Sequence, residues 1–182
     1  MIKKENSSVM LHLVLVCPEI PQNTGNIART CAVTGCVLHL VGPLGFEIDD
    51  RKLKRAGLDY WHLLDIRRYD SLAEYLAAWP DARRWYATTK GCLCYADAEY
   101  ADGDHILFGR ETAGLPEDLL RKDLEHCIRI PQISEARSLN LSNSVAIVAY
   151  EALRQLSFPG MQRMGSLAGD TTEANSTDPS KI

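Results

Sequence analysis

Apolar positions along the chain change their period repeatedly, and each change marks an element. Residues 11–16 form a short unbroken apolar run rich in branched side chains and closed by Pro18 and Pro21, the pattern of a buried strand. Residues 25–34 then carry Ile27, Ala28, Cys31 and Ala32 at helical spacing, with Gly35 placed as a C-cap. Residues 37–41 read as a second strand ended by Gly42-Pro43, and Asp49 or Asp50 can cap a short basic helix ending near Gly57. Ser71-Leu-Ala-Glu74 is a capping box, predicting a helix with Leu72, Tyr75, Leu76 and Trp79 on one face. Strands are predicted over 84–88, 104–108 and 126–130, a helix with Pro116 in its first turn over 116–122, and a long apolar helix over 141–156. Alternation of this kind predicts an α/β fold, a mostly parallel sheet with helices on both faces.

Composition narrows the class further. With 182 residues, 46% of them apolar, the chain can build one core of ordinary size and not two comfortable ones. Residues 10–160 are therefore expected to form a single domain, preceded by a polar extension over 1–9 and followed by a disordered polar tail over 161–182. No apolar run approaches the roughly 18 residues of a membrane helix, and the first ten residues lack the apolar centre of a secretory signal. A cytoplasmic protein without membrane contact is expected. The six cysteines fit no zinc spacing, so they are read as reduced thiols packed as small hydrophobes, with no metal site. The net charge of −4 hides a basic segment of +4 over residues 51–91, opening with Arg51, Lys52, Lys54 and Arg55. Such a segment is either a solvated face or a surface that follows phosphates.

Chemistry in parallel sheets collects where strands end, so three loops matter most. In the first, residues 18–29, Asn23, Thr24 and Asn26 offer caps at a helix start, and the planar fork of Arg29 suits a phosphate or carboxylate. In the second, Phe108-Gly-Arg-Glu-Thr-Ala-Gly-Leu-Pro116, the two glycines are spaced as in a P-loop, but Leu115-Pro116 stands where Lys and Ser/Thr are required. What remains is a loop that admits a ligand close to its backbone, with Glu111 available to a cationic or hydroxyl group. In the third, Ser138, Asn140, Ser142 and Asn143 place more amides and hydroxyls before an apolar helix than capping alone needs.

Taken in order, Asn23-Thr-Gly-Asn-Ile-Ala-Arg29, Phe108 to Pro116 and Ser138-Leu-Asn-Leu-Ser-Asn143 resemble the three motifs of the SPOUT superfamily of RNA 2′-O-methyltransferases. Within it the chain is most similar to the minimal TrmL (YibK) group, which methylates the wobble ribose of certain tRNAs; Arg55-Ala-Gly-Leu-Asp-Tyr60 and Thr88-Thr-Lys-Gly91 share the likeness. It departs from the pattern at Ala113, where many relatives carry Arg or Lys, and at Gln132, where Met is common.

The resemblance implies a C-terminal deep trefoil knot, which general topology rules argue against. It also implies S-adenosylmethionine as cofactor, in a pocket of Ala87, Thr88, Gly109, Ile130, Ser138 and Asn140, with Glu111 and Leu139 beside them. For catalysis it implies Arg29 stabilising the developing alkoxide, supported by Asn26 and Ser142, with Tyr150 a further participant. The implied substrate is the ribose of the first anticodon nucleotide, a cytidine or modified uridine of leucine tRNAs. The implied assembly is a homodimer, because a chain without an added RNA-binding domain needs two subunits to grip an anticodon stem-loop. Other readings are another tRNA position, ribosomal RNA, a non-catalytic RNA-binding factor of the same fold, or an unrelated small-molecule enzyme.

Overall fold

The computed structural model describes residues 10–46 and 64–167, so the expected basic helix and the Arg55 to Tyr60 segment lie outside the described residues. The chain runs β1 (His12–Val16), α1 (Pro21–Thr34), β2 (Val37–Val41), β3 (Ile66–Tyr69), α2 (Leu72–Ala78), β4 (Arg84–Ala87), β5 (Leu93–Cys94), β6 (His105–Phe108), α3 (Glu117–Leu120), a 3₁₀ turn (Leu124–His126), β7 (Cys127–Arg129) and α4 (Leu141–Gln155). The strands form one seven-stranded sheet in the order β3-β2-β1-β6-β4-β7-β5, and every adjacent pair is parallel. The α/β class and the parallel sheet thus follow the expectation.

Alternate residues of the central strands serve opposite cores, as strand pleating requires. Leu13 and Leu15 of β1 pack with Leu38, Leu40, Ile106 and Phe108 against Ile27 and Cys31 of α1 and Val145, Val148 and Ala152 of α4. Val14 and Val16 pack with Val41 and Leu107 against Tyr75, Leu119 and Leu120, on the side of α2 and α3. All six cysteines are free, and Cys31, Cys36 and Cys127 are buried as expected of small apolar groups. No described helix is long and apolar enough to cross a membrane.

Three expectations about elements need correction. Helix α1 starts at Pro21, not Gly25: proline is well placed at the first helical position, where its missing N–H would have had no partner. Pro116 is the residue before α3 and not part of its first turn. Strands β3 and β5 were not expected. The first reads Ile-Arg-Arg-Tyr, and the second is only two residues long. The capping box at α2 does form, with Ser71 Oγ accepting from the Glu74 N–H at 3.2 Å, but the Glu74 carboxylate accepts from the Asp70 N–H rather than that of Ser71.

The face beneath α2 carries three buried histidines from adjacent strands: His12, His39 and His105. Trp79 Nε1 donates to the Tyr69 hydroxyl (2.8 Å), which lies 3.2 Å from His39 Nδ1; His39 Nε2 lies 2.8 Å from His12 Nδ1. The Tyr75 hydroxyl is 2.8 Å from His105 Nδ1. Burial and the neighbouring histidines push His39 down to about 2 and His105 to about 3, and burial lowers His12 as well. All three rings are therefore neutral at physiological pH. The His12 and His105 rings stack with centroids 4.1 Å apart at 4°, so their in-plane lone pairs do not converge on one ion.

Candidate active site at the carboxyl ends of the strands

Because every strand points the same way, the loops following β1, β4, β6 and β7 emerge at one end of the sheet. They surround a cleft of about 690 Å³. Ala87, Thr88, Gly109, Glu111, Ile130, Ser138, Leu139 and Asn140, the eight residues expected around the cofactor, all line it. Phe108, Leu115, Ile128 and Val148 make a buried apolar floor, while Ser138, Leu139 and Asn140 stand exposed at the edge.

Each loop is pinned. After β4, the Thr88 N–H donates to the Ile128 carbonyl at 2.9 Å, and Lys90 pairs with Glu117 at the start of α3. Gly91 is required there, because a Cβ would come within 2.6 Å of the Ile128 carbonyl carbon. After β6, the Gly114 N–H donates to the Arg110 carbonyl at 2.9 Å and closes a tight loop. A Cβ on Gly109 would lie 2.0 Å from the Gly114 carbonyl carbon. The close approach that Gly109 permits is thus first of all that of its own loop, not of a ligand.

Glu111 also differs from expectation. Its carboxylate is not free for a ligand but accepts from the N–H groups of Glu19 (2.8 Å) and Ile20 (3.2 Å) and from Asn23 Nδ2 (2.8 Å). Burial pushes its pKa up, yet these hydrogen bonds outweigh burial and hold it below the ordinary carboxylate value. Glu19 reciprocates, accepting from the Thr112 N–H and hydroxyl. Asn23 Oδ1 accepts from Asn140 Nδ2 at 3.0 Å, and Asn140 Oδ1 caps α4 by accepting from the N–H and hydroxyl of Ser142. One chain of side chains, Glu111–Asn23–Asn140–Ser142, therefore joins all three loops. Asn23, only 5% exposed, is its hub, whereas the sequence alone offers it as a helix cap.

The four expected catalytic residues do not line the cleft. Ser142 touches it only through Asn140. Asn26, Arg29 and Tyr150 are exposed on the outer faces of α1 and α4, which pack on each other, and the Arg29 guanidinium bonds no described residue. Arg29 lies roughly 9 Å along α1 from Asn23 and about two-thirds of a turn around it.

A parallel sheet with a polar cleft under its carboxyl-edge loops defines an α/β protein of the ligand-binding kind. The chain belongs to the SpoU methylase family: the profile of the SpoU rRNA methylase family matches residues 10–150. It is 48% identical over 152 residues to the tRNA (cytidine(34)-2′-O)-methyltransferase of Escherichia coli K12, covering 83% of this chain and 97% of that one. Among solved structures, one concerned with 2-OH methylation of C/U34 on tRNA shares 49% identity at a TM-score of 0.78, over 83% of this chain and 99% of the other. An AdoMet-bound rRNA methyltransferase of Sinorhizobium meliloti shares 28% identity at a TM-score of 0.71, over 81% of this chain and 57% of that one.

Proposed function

We propose that this chain is an S-adenosylmethionine-dependent methyltransferase acting on the ribose 2′-hydroxyl of tRNA nucleotide 34, a cytidine or uridine at the wobble position. The observation that carries this reading is the convergence of the eight expected pocket residues, from separate loops, on one cleft. The cleft suits the cofactor chemically: its volume falls in the usual range for small ligands, its floor is apolar, and its rim offers hydroxyls, amides and backbone groups. Ala87, Thr88, Gly109, Ile130, Ser138 and Asn140 hold the cofactor, with Leu139 beside it and Glu111 fixing the loop geometry. The cofactor supplies a methyl group activated by its sulfonium.

The site would have to place the ribose 2′-hydroxyl in line with that methyl group, with the hydroxyl proton passing to water. In-line placement accounts for much of the rate. The Arg29 guanidinium stabilises the developing alkoxide rather than accepting its proton, since guanidinium groups remain protonated. Asn26 and Ser142 support that geometry, and Tyr150 takes part from α4.

We further read the α1–α4 face as a homodimer contact. It carries half-exposed Val33, Ile147 and Tyr150 next to Arg29, and the catalytic candidates gathered on it complete a site that one chain's cleft lacks. The C-terminal segment forms the trefoil knot of the superfamily, a reading supported by β7 pairing between β4 and β5, which precede it in the chain. The six free thiols agree with a cytoplasmic location beside tRNA. Leucine tRNAs are the isoacceptors to test first.

The test is transfer of labelled methyl from S-adenosylmethionine to unmethylated tRNA, with nucleosides mapped after nuclease digestion. A 2′-O-methylated nucleotide 34 is expected from the native chain, and Arg29→Ala should lower turnover by about 10²-fold or more. Methylation elsewhere on tRNA, or on ribosomal RNA alone, overturns the assigned substrate. Full turnover by Arg29→Lys overturns the guanidinium role, and a light-scattering mass of one subunit overturns the dimer.

A further inference from the structure

The cleft is layered in charge as well as in polarity. Its floor is apolar, and the one carboxylate lining it, Glu111, is consumed by Asn23 and the N–H groups of Glu19 and Ile20. Of the three cations that line it, Lys90 is paired with Glu117. The other two, Arg110 and Arg137, are exposed, and neither guanidinium bonds any described residue.

They come from different loops, those after β6 and β7, and β4 separates these strands in the sheet. Arg110 projects from the turn that the Arg110–Gly114 bridge closes, so its backbone is fixed, and Arg137 projects from the loop between β7 and α4, directly before Ser138. Two exposed guanidinium forks on one cleft, bonded to no described residue and with the single described lining carboxylate already engaged, form an anion site at the rim and not at the floor. One cofactor carboxylate is satisfied by a single fork, whereas successive phosphates of a nucleic-acid strand can engage two forks on different loops. Ala113, on the same turn as Arg110, adds no charge of its own.

We infer that Arg110 and Arg137 clamp the backbone phosphates flanking the target nucleotide and so position its ribose over the cleft. This rests on the RNA-methylating reading, and it assigns the substrate grip to residues at the rim of the cofactor cleft and outside the α1–α4 face.

The probe is a fluorescent RNA hairpin carrying a tRNA anticodon loop, titrated with the full chain at several salt concentrations, with S-adenosylmethionine binding measured separately by calorimetry. Arg110→Ala and Arg137→Ala are each expected to weaken hairpin binding about tenfold. Each should also lower the slope of log affinity against log salt by roughly 0.7–0.9 while cofactor affinity stays unchanged. Lysine at either position should restore the slope but only part of the affinity, because the charge returns without the fork. Arg67→Gln, an equal loss of charge on edge strand β3, should change neither quantity. Unchanged hairpin affinity and slope in both alanine variants overturn the clamp. Weakened cofactor binding with RNA binding intact also overturns it and assigns the arginines to the cofactor carboxylate. Methyl transfer by the native chain on the same RNA separates the two ideas: its failure overturns the enzymatic reading, while an arginine-dependent salt slope still supports the clamp.

Discussion

The two ends of the sheet are built on opposite principles. At the end where His12 and His105 begin their strands, polar groups are buried and wired to one another under aromatic rings. At the other end, polar groups stand in loops around an open cleft, and some, Arg110 and Arg137 among them, bond no described residue. A satisfied buried network fixes one structure, and an unsatisfied exposed one is available for a ligand. The bonded chain through Glu111, Asn23 and Asn140 lies between these extremes, holding the unpaired groups in position.

The largest way to break this contrast is acid. The three histidines have folded pKa values below the ordinary value near 6.5, so the unfolded chain binds more protons as the pH falls. Their stabilisation is whole above about pH 6.5 and declines below it, at about 3 kcal/mol per pH unit from His39 and His105 together, with His12 acting in the same direction. Circular dichroism between pH 7.5 and 4 should record cooperative unfolding before pH 4 is reached. His39→Gln should flatten the slope by up to about half, and an unchanged fold at pH 4 would refute the assignment.

Gly109→Ala attacks the cleft end instead. With a Cβ 2.0 Å from backbone, the loop must move, and a cost of about 1–3 kcal/mol with loss of S-adenosylmethionine binding is expected from melting and calorimetry. Asn23→Ala removes the hub and leaves Glu111 and Asn140 each short of a partner, costing about 1–2 kcal/mol and lowering turnover more than cofactor affinity. The smallest effect is expected from Ser71→Ala, about 1 kcal/mol from the lost cap of α2, with methyl transfer at pH 7.5 unaltered because that helix covers only the histidine end.

How legible each end is in the sequence follows from the same contrast. The cleft loops announce themselves, since glycines, amides and hydroxyls clustered after apolar runs are local signals, while the eight residues that only the family resemblance names one by one line a single cleft. The histidine cluster leaves no such trace: three single histidines on three strands meet only because β1 pairs with both β2 and β6. Local pattern does not say which strands adjoin. For the same reason the start of α1 is hidden, because the group that satisfies the N–H groups before it, Glu111, lies some ninety residues further on. Asn23 is visible as a polar residue at a helix start, but its role as hub depends on two partners from distant loops. Strand β3 is masked by its own arginines, which an exposed edge tolerates and a central strand does not.

The strand order also has a consequence in time. β1 finds β2 soon after both are synthesised, but its other edge waits for β6, ninety-odd residues later. At ordinary rates of translation that interval is about 5–20 s. Throughout it, an apolar strand destined for the centre of the sheet is an open edge, liable to recruit a neighbouring nascent chain. His12 waits equally long for the ring it stacks on. The chain is thus most vulnerable while being made, and an auxiliary factor that shields the first forty residues on the ribosome would raise its yield without changing its final stability.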